Sequence, residues 1–576
     1  MRSTANRKTL DGTALELQGW TGGMNSALYP AFLSPSQYRR AINVSNRDGL
    51  ISPRPGFVQV DALPDGLLQG AFLFNEALPA GGVNSQWVVA ISGMIYLRPA
   101  TDTPGTPWTR VSGVSLASTA TTVRFARMER FADSSGASIV LLLNPESVLV
   151  AVDGVSLPVA IRNGAAVTLP GVVKGASHVA TAGNRVWFAV ANRVLASDFG
   201  DPVSFTEHLE EGPASGAFYF DSEVTALYPA PSQNQQNSPL LVFTSSDSEA
   251  LRADVVDREQ WTAQGFRQSF ASGVGCLDSD SIVKHEGTLW WVSASGLVSA
   301  DRAVTSYVSS RLARRDVELR AWDPLLSTSP LAKSASHDGR LLVSRSLTSG
   351  DVATAVLDGA VIGDVSGETP PVWASFWTGP RIRSWHPKGS SLYCFGSDLS
   401  PAYGTRNRLW KMVPGSNDSA LKPNQSGGFQ AYVSPIKWSF DTGYFGGPDS
   451  GVRILKTVDF DFVNTEAGFS ASASVKGPFS ASASLGSGSC ALASGAWRFQ
   501  SNEPEAAEGD SRGLAAGRDK HFGLTLSCRG VGSLVLVSPH LQLLSETGAT
   551  HPVDSEGSPV ETPFTLPSHN PVTASL

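Results

Sequence analysis

Gly183-Asn184-Arg185-Val186-Trp187-Phe188-Ala189-Val190, a polar step at Ala191-Asn192, then Arg193-Val194-Leu195-Ala196 is the stretch that decides the fold. Branched and aromatic residues suit a pleated, half-buried surface, and Gly-Asn or Ala-Asn supplies a tight turn, so this is a β-hairpin. Similar units recur along the chain. They include Trp87-Val-Val-Ala-Ile with Gly93-Met-Ile-Tyr-Leu, Ser138 to Leu143 with Val148 to Val152, and Leu240-Leu-Val-Phe-Thr. Later come Thr288-Leu-Trp-Trp-Val with Gly296-Leu-Val, Arg340-Leu-Leu-Val-Ser, and Ser391-Leu-Tyr-Cys-Phe with Arg408-Leu-Trp-Lys-Met. Their spacing of roughly 45 to 60 residues, with an aromatic in most units, favours a β-propeller, because stacked blades bury what one hairpin cannot.

The expected fold is therefore all-β, in four segments. Residues 1–57 form an N-terminal strap, 58–412 a propeller of about six irregular blades, 413–547 a β-sandwich-like domain and 548–576 an extended tail. The strap carries one short helix, since Ser34-Pro35-Ser36-Gln37 is a capping box with Tyr38, Ala41 and Ile42 as its apolar face. A second, solvated helix is expected over Ser309 to Trp322, where arginines alternate with Asp316 and Glu318. The sandwich rests on alternation in Lys437-Trp-Ser-Phe, Val458-Asp-Phe-Asp-Phe, Phe522-Gly-Leu-Thr-Leu and Leu534-Val-Leu-Val. Between these sits an internal repeat, Phe469-Ser-Ala-Ser-Ala-Ser and Phe479-Ser-Ala-Ser-Ala-Ser, with Phe and Ala on one face and Ser on the other.

Composition narrows the function. At 576 residues with 41 % hydrophobic side chains the chain can bury a large core, and only 16 % is charged. Lys and Arg total 44 against 51 Asp and Glu, a net charge of −7, which argues against a nucleic-acid coat held by its bulk charge. Cys276, Cys394, Cys490 and Cys528 are too scattered for a disulfide framework or a zinc site, and read as buried thiols of a protein assembled in a reducing cytoplasm. No secretory signal or membrane span is expected, because no run reaches the roughly 18 apolar residues a span needs.

The search for chemistry returns no catalytic, cofactor-binding or metal-ligating residue, and no cofactor or enzymatic activity is expected. Gly486-Ser-Gly488-Ser-Cys-Ala491 fits a dinucleotide fingerprint only formally, since no helix pattern follows it. Gly509-Asp-Ser511-Arg-Gly513 fits a hydrolase elbow but follows a hydrophilic loop rather than a strand. Ser336-His-Asp338-Gly339 reads as a β-turn, and Trp290, Trp291, Trp373, Trp377 and Trp385 read as blade packing rather than a sugar groove.

A set of ordered motifs remains. Gly22-Gly23-Met-Asn25 leads to Asn43-Val44 and Arg54-Pro55-Gly56-Phe57. Asn184-Arg185-Val186-Trp187 leads to Asp198-Phe199-Gly200-Asp201-Pro202, and Gly275-Cys276 leads to Trp291 and Gly296-Leu297. In this order they resemble the β-propeller tail proteins, nozzle or tail-tube, of short-tailed podovirus-type bacteriophages, over about residues 20 to 415. The resemblance implies a virion protein forming a ring, commonly a homohexamer, docked below the portal and adaptor. It would contact tail fibres or other tail proteins, and double-stranded viral DNA would pass through its lumen during ejection without sequence-specific binding. The motif residues would serve structure and docking. The alternatives are a propeller that binds or cleaves glycans, and a tail hub or receptor-binding protein without a DNA channel.

Overall fold

Four-stranded antiparallel sheets dominate the computed structural model, which describes residues between 13 and 543 with gaps, the longest at 131–145, 308–331, 346–360 and 501–517. The first strands of seven sheets, Leu68–Ala77, Arg124–Arg130, His178–Ala182, Val224–Pro229, Val283–His285, Ala332–His337 and Arg381–Lys388, gather around one axis. Each packs on the next, and Arg381–Lys388 returns to Leu68–Ala77, so the ring is closed. Between the fourth and fifth sheets the contact passes through the short 3-10 turn Ser279–Ser281. The deciding hairpin is the second and third strands of blade three, Arg185–Val190 and Arg193–Ala196.

Apolar faces meet between blades. Between blades three and four, Trp187, Val194, Phe218, Val242, Leu251, Trp261 and Phe266 form one buried cluster, with Trp187 stacked on Trp261 at 5.4 Å between ring centres. Burying one such side chain contributes about 1.5–3 kcal/mol, which an isolated hairpin could not collect. Trp290, Trp291, Trp373, Trp377 and Trp385 are all buried in blade or sandwich cores, as packing requires.

Among the described residues the blades around the axis number seven, where about six are expected. The seventh is assembled from both ends of the propeller segment: Arg381–Lys388, Ser391–Ser397 and Asn407–Val413 receive Gly56–Ala62 as an antiparallel fourth strand. Reading units only as consecutive hairpins misses a blade whose outer strand precedes all the others. A hairpin of Asn417–Pro423 and Phe429–Pro435 then extends this closing blade, so the segment after the propeller enters the sandwich from Lys437 rather than from residue 413.

The strap is not separate from the sandwich. One sandwich sheet runs Gln37–Ile42, Lys437–Thr442, Gly523–Arg529, Phe469–Lys476 and Ala483–Cys490, and is joined to blade six where Phe376 pairs with Ile42. The other contains Val44–Arg47, Leu50–Pro53, Ser533–Leu543, Arg453–Val463 and Ser494–Gln500. Their inner faces share a core of Trp20, Tyr38, Ile51, Trp438, Phe440, Phe460, Phe462, Phe469, Leu524 and Leu534. Phe469, Ala471, Ala473 and Val475 are buried while the serines between them are part-exposed, as the repeat's alternation predicts.

The helix expected after Ser34 is instead the strand Gln37–Ile42. Half of the capping box forms, with Ser34 N–H donating to Gln37 Oε1 at 3.3 Å, but Gln37 N–H donates to the Ser34 carbonyl at 2.8 Å rather than to its hydroxyl. They close a turn and no helix follows. A register shift between Tyr38 and Arg40 puts Tyr38 and Ala41 on one buried face three residues apart, a spacing that reads as helical. The Ser309 to Trp322 helix, the strand Ser138 to Leu143, the Gly509 to Gly513 motif and the tail 548–576 lie outside the described residues.

Candidate functional site

Two constellations of polar residues stand out, one on the propeller axis and one where the propeller meets the sandwich. On the axis, the inner strands line a cavity of about 650 Å³. Arg124 on blade two reaches across it: Nη2 pairs with Asp278 Oδ1 at 3.1 Å and Nε donates to Ser279 Oγ at 3.0 Å, both just before blade five. Blades two and five lie on opposite sides of a seven-blade ring, so this contact spans the axis. Lys333 of blade six pairs with the other Asp278 oxygen at 3.0 Å and also with Asp280. Asp278 is 1 % exposed and so is held between two cations.

Burial alone would raise the Asp278 carboxyl, but Lys333 and Arg124 outweigh it and hold it below the usual range. Arg124 likewise stays charged, since Asp278 and Asp280 overcome the cost of its burial. Two histidines flank the cluster. Burial, reinforced by the Arg124 charge, drives His178 well below 6.5, and burial pushes His386 down to about 4. Cys276, buried beside Asp278, is pushed up to about 12 by burial and stays a thiol.

The sign of the His386 effect follows from linkage. The unfolded chain takes up a proton near 6.5 and the folded chain only near 4, so between these values the unfolded state binds more protons. Stability is therefore expected to fall as pH drops from 6.5 towards 4. His386→Gln should flatten that fall by about 2 kcal/mol, less than the full linkage value because His386 is not sealed from solvent. Urea unfolding of both proteins across this pH range measures it, and parallel curves would contradict it.

The second constellation contains Asn43 and the Arg54-Pro55-Gly56-Phe57 motif. Arg54, 1 % exposed, donates from Nη1 to Asp418 Oδ1 at 2.9 Å and from Nη2 to Asp418 Oδ2 at 2.7 Å. Its Nε reaches Asn43 Oδ1 at 3.0 Å, and Nη2 also reaches the Thr378 carbonyl at 2.7 Å. Asn43, at φ 56°, donates from Nδ2 to the Lys437 carbonyl and to Thr378 Oγ1, both at 2.8 Å. Sandwich, blade six and closing blade are thus tied at one point. Gly56 is required there, because a Cβ would lie 2.0 Å from the Asn417 carbonyl oxygen, while Pro55 lends its carbonyl to Arg54 and Phe57 packs under the guanidinium. Gly22, Gly23 and Asn25 lie on the short segment that pairs with the start of Gln37–Ile42.

The remaining motif residues are packing joints in blades three to five. Asn184 occupies the hairpin turn at φ 55°, and Arg185 donates to the Ser197 and Val256 carbonyls with its guanidinium over Phe199 and Trp261. Trp187 Nε1 donates to the Ala182 carbonyl. Asp198 accepts from Ser204, Thr206 N–H and Thr206 Oγ1, and Asp201 accepts from Val203 N–H, which folds the Gly200-Asp201-Pro202 loop onto blade three. The Gly275 carbonyl accepts from Trp291 Nε1, and Gly296 sits at φ 117° in the turn of blade five. None of these residues lines the axial cavity. Sequence reasoning missed Arg124, Asp278, Lys333, Thr378, Asp418 and the two histidines, because each acts with partners on other blades.

Among the described residues, no group of three or more His, Cys, Asp or Glu is placed to hold a metal ion, and no helix is long and apolar enough to cross a membrane. No family model and no curated protein matches the chain. Solved structures overlap it only loosely. BBS1N, solved in complex with ARL6DN, is 8 % identical and covers 62 % of this chain and 97 % of its own, at a TM-score of 0.35. An exo-beta-1,3-galactanase from Phanerochaete chrysosporium, bound to beta-1,3-galactotriose, is 11 % identical over 84 % of this chain and 99 % of its own, at 0.24. The AfRom2 CNH domain is 9 % identical over 62 % and 99 %, also at 0.24. At such scores these neighbours carry no argument about this chain, whose fold stands on its own sheets: a seven-bladed β-propeller with an appended β-sandwich.

Proposed function

We propose that this chain is a non-enzymatic structural protein of a short-tailed phage tail, assembling as a ring below the adaptor to retain and then conduct the genome. The observation that carries the reading is the role of the ordered motif residues: Asn43, Arg54 and Gly56 tie propeller to sandwich, and none of them lines the axial cavity. A protein whose distinctive residues serve rigidity suits a structural part of a particle. In this reading the genome channel lies between copies on the ring axis, because the propeller's own axis is crossed by the Arg124 to Asp278 pair. A net charge of −7 suits a conduit that must release DNA.

The axial cavity favours a second reading as a glycan-binding propeller. Cleavage is disfavoured, because paired carboxylates must exchange protons and Asp278 is held ionised between Lys333 and Arg124. Native mass spectrometry of the purified chain tests the ring. Six copies of 60.7 kDa predict a species near 364 kDa, whereas a monomer at every concentration and in the presence of the adaptor would contradict it.

A further inference from the structure

We propose that the axial cavity binds a small hydroxylated anion, an acidic monosaccharide in size and chemistry. Its volume of about 650 Å³ falls within the usual range for small-molecule sites. Arg124, Arg127, Lys333 and Arg383 are among the residues that line it, with Asp280 as the one lining carboxylate. Asp278 lies behind this wall, already divided between Arg124 and Lys333.

Polar atoms around the axis are left without a protein partner. They are Arg127 Nε and Ser334 Oγ on the cavity wall, and Nε2 of His178, a residue 7 % exposed beside the ion cluster. Buried polar atoms of this kind are ordinarily satisfied, so together they leave unmet hydrogen-bonding capacity in and behind the cavity wall. Phe72 and Phe125 line the same wall with ring centres 6.0 Å apart, an apolar surface for the C–H face of a sugar ring. Arg127 supplies the anion recognition: its Nη2 is engaged by Glu129, whose Oε2 also lacks a partner. A guanidinium binds a carboxylate or phosphate oxygen by charge-assisted hydrogen bonds, in competition with Glu129.

The inference does not depend on the tail-ring reading, and its test does not read assembly. Isothermal titration calorimetry of the full chain with glucuronate and glucose 6-phosphate separates the two sources of negative charge, and glucose is the neutral control. One acid site per chain is expected, with glucose at least about tenfold weaker. Arg127→Gln should weaken the acid by about tenfold, and Glu129→Gln, which removes the competing carboxylate, should strengthen it severalfold. Thermal melts of both variants establish that they fold, and if Arg127→Gln melts early then Glu129→Gln alone decides. No binding of either acid at millimolar concentration, glucose binding as tightly as the acids, or a Glu129→Gln variant that binds like the parent would overturn the proposal.

Discussion

Arg54→Ala is expected to destabilise the protein by about 3–5 kcal/mol, the usual consequence of removing one partner from a buried ion pair. The guanidinium is buried, both Asp418 oxygens accept from it, and Asn43 and the Thr378 carbonyl accept from it too. Losing it leaves Asn43 Oδ1 with only its Thr378 donors and strips Asp418 of its cation. Asp418 is itself 36 % exposed, so water can replace part of what it loses, and Asp418→Asn should cost less than Arg54→Ala. The pair Arg47 and Asp338, 42 % and 59 % exposed, supplies the control, and Arg47→Ala should cost under about 1 kcal/mol. Urea unfolding followed by tryptophan fluorescence measures all three. Equal costs for Arg54→Ala and Arg47→Ala would show that the joint carries no special burden.

Asp278→Ala should cost a similar amount, about 3–5 kcal/mol, because it leaves Arg124 and Lys333 facing each other near the axis without their shared anion. Neighbouring Asp280 separates charge from position. It also pairs with Lys333 but is 42 % exposed, so Asp280→Ala should cost under about 1 kcal/mol. The Asp278 contribution is also pH-dependent. Its folded carboxyl lies below the usual range, so the stabilisation is present above the unfolded value and lost as pH falls through the folded one. Asp278→Ala should therefore remove part of the acid sensitivity as well as part of the stability at neutral pH. A variant that melts with the parent at neutral pH would mean that blades two, five and six are held by apolar contacts alone.

How much could be read beforehand depended on how far apart the partners lie in sequence. Strands whose neighbours follow directly, such as Arg185–Val190 and Arg193–Ala196, were legible because alternation and turn chemistry are local signals. The closing blade was not legible, because Gly56–Ala62 pairs with Asn407–Val413 some 350 positions along the chain. The strand Gln37–Ile42 misled for a different reason: its bulge restores a three-residue spacing, and its turn reproduces one contact of a capping box, so two local rules agreed on a helix that the sheet overrides.

Of the polar constellations, the sequence marked Asn43, Arg54, Pro55 and Gly56 by their order along the chain. It gave no sign of Asp418 or Thr378, which complete the joint. Nor did anything local distinguish Arg124, Asp278 and Lys333 from ordinary surface charges, since each owes its role to the ring that brings blades two, five and six around one axis. The low charge content, read with the ordered motifs, suggested surfaces that are largely subunit interface.

The most direct test of the structural reading is single-particle imaging of phage particles whose genome encodes this chain, with its tail density averaged about the tail axis. A ring of about six copies below the adaptor is expected, each with its own seven-bladed propeller, around an open central channel. A particle that lacks the chain, or one that carries it as single peripheral copies off the axis, would contradict it.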